Sequence, residues 1–109
     1  MKTIVIITIS LLSASAMSVH AADAKANWDA NCAQCHGKSG NADTKMGKTL
    51  NAKDLTDPKV QAAFTDAKAT QSITEGVKEN GKTTMKAFGG KLTPDEIKAL
   101  VAYVRTLKK

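Results

Sequence analysis

Cys32-Ala33-Gln34-Cys35-His36 is the stretch on which the reading of this 109-residue chain turns. Two thiols three positions apart, with an imidazole directly after the second, form the pattern of covalent haem attachment. Each thiol adds across one porphyrin vinyl group, and the histidine is held beneath the iron. Other chemistries suit the same five residues less well. A redox dithiol expects a preceding strand in a βαβ setting, whereas Ala24 to Asn31 reads as helix. A structural zinc usually takes four ligands, and beyond this cluster the rest of the chain after Ala21 has no cysteine or histidine. The pattern therefore points to one haem c, with Cys32 and Cys35 as tethers and His36 Nε2 as proximal iron ligand.

The first residues read as an export signal. Lys2 gives a positive start, Ile4 to Leu12 is strongly apolar with Thr and Ser interspersed, and Val19-His20-Ala21 ends on small or neutral residues. Cleavage is expected after Ala21. The apolar run is much shorter than the roughly 20 residues that cross a bilayer, so a stable membrane anchor is not expected. No cysteine stands at the cut to accept a lipid. The chain thus divides into a signal, 1–21, and one domain, 22–109.

That domain is poor in bulky side chains. Leu, Ile, Val and Phe supply 13 of its 88 residues, about 15%, which by composition suggests weak folding or disorder. A covalently attached porphyrin removes the conflict, because it contributes the apolar area the side chains lack. Without Lys2, 15 basic residues face 10 acidic ones, a formal +5, and 14 of the 15 are lysines. Hydrated point charges of this kind suit loose steering toward an acidic redox partner. Nucleic acid is not expected, since there is no Arg-rich run and the few aromatics do not interleave with the lysines.

Periodicity predicts an all-α fold. A first helix is expected from about Asp23 to Cys32 or Ala33, with Ala24 and Trp28 on one face and Trp28 in the core. Residues 37–54 read as an extended loop that lays Leu50 and Leu55 along a porphyrin edge. A short helix starts at Asp57-Pro58 and runs to about Phe64. Thr65 caps the next, in which Ala69, Ile73 and Val77 recur at intervals of four until Asn80-Gly81 ends it. After the loop 81–91, Thr93-Pro94-Asp95-Glu96 is a capping box that opens the last helix, running to about Leu107 with Ile97, Leu100, Val101 and Val104 inward. Three main helices, one short one and loops are thus expected around one haem.

The far side of the iron is less determined. His20 leaves with the signal, so an intramolecular second histidine is excluded, and the candidates are Met46, Met85, a lysine amine or nothing. Thioether sulfur favours the reduced iron and raises the potential relative to a second imidazole. Met46 and Met85 both sit among polar residues where a methionine has little packing role, and both can reach: the ten residues from His36 to Met46 extend roughly 33 Å. The residues alone favour Met85 only slightly.

The domain resembles a short class I bacterial cytochrome c, in Trp28 to Gly37, Ile73-Thr74-Glu75-Gly76-Val77, Leu92 to Ile97 and Leu100 to Leu107. The resemblance implies that the first and last helices cross. It also implies that the Met of a Gly-Lys-x-x-Met loop binds iron, which places Met85, in Gly81-Lys82-Thr83-Thr84-Met85, opposite His36. Two departures stand out. Lys86 follows Met85 where the family has proline, which predicts a more mobile loop. Gly47-Lys48-Thr49-Leu50 stands where the family has Gly-Pro-x-Leu, so the Lys48 carbonyl is expected to accept the hydrogen of His36 Nδ1.

A haem with both axial positions filled offers no vacant site for substrate, and the domain has no second histidine or carboxylate pair set for acid and base work. The expectation is a monomeric, periplasmic one-electron carrier rather than an enzyme, cycling between Fe(II) and Fe(III), with Lys38, Lys82 and Lys86 at its docking rim. The rivals are a haem that loses Met85 and binds a diatomic gas or peroxide, and a haem subunit of a dehydrogenase complex.

Overall fold

The computed structural model describes residues 21–109. The expected signal lies outside the described residues except at Ala21, the first residue of α1 (Ala21–Asn31). The elements that follow are α2 (Ala33–His36), α3 (Lys45–Thr49), α4 (Pro58–Ala62), α5 (Asp66–Glu75), β1 (Val77–Glu79), β2 (Lys82–Met85) and α6 (Pro94–Thr106). The architecture is helical apart from one two-stranded hairpin.

Side-chain caps set most of the helix starts, because the first amides of a helix have no partner within it. Asp57 accepts from the Lys59 amide, and Thr65 from that of Lys68. The expected capping box is formed in full: the Glu96 amide donates to Thr93 Oγ1 and the Thr93 amide to Glu96 Oε1. These bonds, with one from Asn27 Nδ2, hold the Glu96 carboxyl below its usual pKa. The Asn27 bond also ties α1 to the head of α6.

Three expectations are corrected. The helix from Thr65 stops at Glu75 rather than Asn80, because Gly76 takes φ +77°, ψ −179°, a region in effect closed to other residues. Val77 then belongs to β1, which pairs antiparallel with β2 in the register Val77 to Met85 and Glu79 to Lys82. Asn80 and Gly81 both have positive φ, 52° and 78°, so this pair closes a tight hairpin. Second, the first helix is interrupted at Cys32, and α2 follows as a separate turn. Third, the loop 37–54 contains α3. Thr44 starts it, accepting from the Gly47 amide at 2.8 Å while donating to the Cys35 carbonyl at 2.7 Å.

The core lies where α1 crosses α6, as the resemblance implied. Trp28, Ile97 and Leu100 are its most deeply buried side chains, and the Trp28 and Tyr103 rings sit 5.6 Å apart. Ile73, Phe88 and Leu55 extend this core beneath α5 and the loops. A polar clamp closes its other end. Gln61 is buried and donates to the carbonyls of both Leu55 (2.6 Å) and Val104 (2.9 Å). Arg105 donates in turn to Gln61, the Phe64 carbonyl and Asp66, with its guanidinium 4.3 Å from the centre of the Phe64 ring. The carbonyls of Leu55 and Val104 are thereby joined through one side chain across this end of the core.

Candidate haem site

The junction of α1 and α2 brings the three attachment residues together. The Cys32 amide stays bonded to the Trp28 carbonyl at 2.8 Å, and the Cys32 carbonyl accepts from both Cys35 (3.3 Å) and His36 (2.9 Å). One turn of backbone thus carries both sulfurs and the imidazole. Cys32 is buried and Cys35 half-buried, and no disulfide joins them. Burial, with Cys35 alongside, pushes the Cys32 thiol up to about 11. The thiolate, which is the nucleophilic form, is therefore scarce at Cys32 in the folded chain near neutral pH.

His36 is fixed from several directions. Its carbonyl accepts from the Ala42 amide at 2.8 Å, and its ring lies 5.7 Å from that of Trp28. Trp28 is anchored in turn by Nε1–H donating to the Gly37 carbonyl at 3.1 Å. Burial lowers the imidazole pKa, opposed by the backbone of Lys53. The ring is thus held neutral, the form in which it binds metals. Nδ1 is buried and makes no hydrogen bond. The bond expected from the Lys48 carbonyl is not formed, its segment being wound into α3. The Leu55 amide bonds to the Gly40 carbonyl and draws its loop alongside the residues that follow His36.

The floor under the attachment turn is built by close approach. A Cβ on Gly47 would collide with the Cys35 carbonyl and come within 2.7 Å of the Ala42 carbonyl, so α3 packs backbone to backbone on the motif. Met46 rides on this helix and is 41% exposed. Met85 comes from a different part of the chain, at the end of β2, and its half-buried side chain packs against the core cluster that includes Cys32. Of the two methionines only Met85 combines an independent approach with burial against that core.

An unbridged thiol pair on one turn, a neutral half-buried imidazole and a thioether from a separate element are donors that suit a covalent porphyrin. They fit haem c, with Cys32, Cys35, His36 and Met85 as the residues able to hold it. Such a fold and donor set define the class as a small helical domain built around one c-type haem.

Comparison with known proteins agrees. Residues 19–104 match the family described as cytochrome C oxidase, cbb3-type, subunit III. The cbb3-type cytochrome c oxidase subunit FixP of Azorhizobium caulinodans is 41% identical over 72% of this chain, which spans 24% of FixP's length. Cytochrome c6 of Synechococcus sp. is 37% identical over 85% of this chain and 75% of its own. Among solved structures, the KustC0563 c-type cytochrome superposes with a TM-score of 0.71 at 38% identity, covering 79% of this chain and 98% of that one. The chain belongs to this cytochrome c family, as a small monohaem class I c-type cytochrome with covalently bound haem c and its iron.

Proposed function

We propose that the chain is a one-electron carrier, moving electrons between redox partners through a haem tethered by Cys32 and Cys35 and ligated by His36 and Met85. When bound, the haem supplies the Fe(II)/Fe(III) couple. The chain's residues hold its ligands in one geometry, keep the imidazole neutral and exclude water. The observation that carries this reading is the pairing of a rigidly held imidazole on α2 with a half-buried thioether on β2, both packed around one core. With both axial positions filled the protein works by electron transfer and is not an enzyme. We assign the carrier to the periplasm as residues 22–109 released from a signal ending at Ala21. Among the described residues no helix is long and apolar enough to cross a membrane.

The likeness to cytochrome c6 over most of that protein's length supports a free monomeric carrier. A second reading, a haem domain working inside an oxidase assembly, is supported by the FixP match. Gel filtration of the native extract separates them, because a free carrier elutes as a small protein.

Met85→Ala tests the ligand set. The haem-loaded variant is expected to lose the near-infrared sulfur-to-iron charge-transfer band, and its reduced form to bind carbon monoxide promptly and stoichiometrically. A variant that keeps the band rules out Met85.

Partners are proposed to carry acidic docking patches facing the exposed lysines, with Lys38, Lys82 and Lys86 at the rim. Steering between such surfaces weakens as salt shortens the Debye length, from about 30 Å at 0.01 M to about 8 Å at 0.15 M. Electron-transfer rates with the physiological partner are expected to fall several-fold across that range. A flat salt response removes the docking proposal and leaves the ligand set untouched.

A further inference from the structure

Met85 lacks the proline that the family places after this methionine, and Lys86 stands in its stead. The structure nevertheless fixes the segment by another means. The last turn of α5 turns its free carbonyls toward the chain after Met85: the Phe88 amide donates to Ile73 at 2.8 Å and the Gly89 amide to Thr74 at 3.0 Å. Between these bonds and the hairpin, the backbone at 85–87 lies directly on Gly76. A Cβ at Gly76 would come within 2.6 Å of the Met85 carbonyl, 2.9 Å of the Ala87 amide nitrogen and 3.0 Å of the Lys86 carbonyl carbon. All three are backbone atoms, which have no flexible side chain by which to move aside.

We propose that Gly76 is the positioning residue for the sixth iron ligand: its missing side chain lets the end of α5 clamp residues 85–87 and so does the work of the absent proline. The proposal rests on Met85 being that ligand. Gly76 has two duties, since it also ends α5 in a backbone conformation that side chains resist. Gly81 separates them. It too has positive φ, +78°, but a Cβ there meets nothing within 4 Å. Substituting Gly81 strains the hairpin without pressing on the ligand segment.

The clamp also gives the carrier a reason to stay closed to added ligands. With Met85 seated by contacts from α5 on one side and β1 on the other, displacing its sulfur requires opening the Gly76 junction. The mobility implied by Lys86 is thereby countered within the fold.

The test compares haem-loaded wild type, Gly76→Ala, Gly81→Ala and Met85→Ala by the ferric near-infrared band and by imidazole titration of the ferric form. Gly76→Ala is expected to lose most of the band and bind imidazole about tenfold or more tightly. Its covalent haem and helical circular dichroism should be retained, and Gly81→Ala should behave as wild type. A Gly76→Ala protein with the wild-type band and affinity overturns the proposal, as does a Gly81→Ala protein equally impaired. Met85→Ala retaining the band instead overturns the ligand assignment and the positioning role together, a distinct outcome.

Should Gly76→Ala not fold, hydrogen exchange in the wild type decides. Imidazole binding, by displacing Met85, is expected to speed exchange of the Phe88 and Gly89 amides about tenfold while leaving the Leu55 amide unchanged. Unchanged exchange at Phe88 and Gly89 overturns the proposal.

Discussion

A Cys32→Ala, Cys35→Ala chain, made alongside a competent haem-attachment system, is expected to emerge colourless and to lose most of its helical circular dichroism. Three bulky side chains, Trp28, Ile97 and Leu100, reach full burial among the described residues, and the remaining core is thin. Most of the helices are one to three turns long, below the roughly 12–15 residues at which even favourable isolated helices become marginal in water. Their caps contribute about 1 kcal/mol each, too little to replace a tertiary core. Ordering each residue's backbone costs about 1–2 kcal/mol, and the porphyrin is the one large apolar body available to offset it. Covalent attachment matters in its own right, because a tethered group cannot dissociate as the chain opens. Circular dichroism and mass spectrometry of the mature product check this. A native-like helical spectrum at the mass of the amino acids alone contradicts it.

Trp28→Ala is expected to cause the largest loss of stability from any single substitution, about 3–5 kcal/mol in a haem-loaded protein. Trp28 is 2% exposed and fills the crossing of α1 and α6, with the rings of His36 and Tyr103 on its flanks. Its removal leaves a cavity and also takes one of two donors from the Gly37 carbonyl, which keeps the Gly40 amide. A domain of this size has on the order of 5–15 kcal/mol in total, so the variant has little margin at 37 °C. Trp28→Phe keeps most of the volume and loses the indole donor, which limits the cost to about 1–2 kcal/mol. Denaturant titration followed through the haem absorbance measures both. A cost below about 1 kcal/mol for the alanine variant refutes the view of Trp28 as the keystone of the crossing.

What can be read from the residues alone is what is decided locally. The spacing of Cys32, Cys35 and His36 points to covalent haem, the cofactor of the family the chain belongs to. Thr93, Pro94 and Glu96 announce α6 because each acts within one turn, and its inward stripe lies buried as expected. Where distant or backbone geometry decides, the residues mislead. Ala69, Ile73 and Val77 keep a four-residue period straight through Gly76, and only the left-handed φ of that glycine shows that Val77 has left the helix. Thr44 is an ordinary threonine until the Cys35 carbonyl comes within reach of its hydroxyl. Lys48 does not serve His36 Nδ1 because α3 takes up its segment. Gln61 and Arg105 carry no local signal at all, since their partners lie some forty residues apart and meet only when α6 docks.

The crossing of α1 and α6 also sets an order of events during maturation. α1 and the motif beside it are covered by residues much further along the chain: Tyr103 on Trp28, Leu107 against Gly40 and the Lys109 amide on the Thr56 carbonyl. Until those contacts form, Cys32 is not enclosed. Because the chain without haem does not hold this fold, both thiols stay open to the maturation machinery until the porphyrin is attached, and the crossing closes over them afterwards.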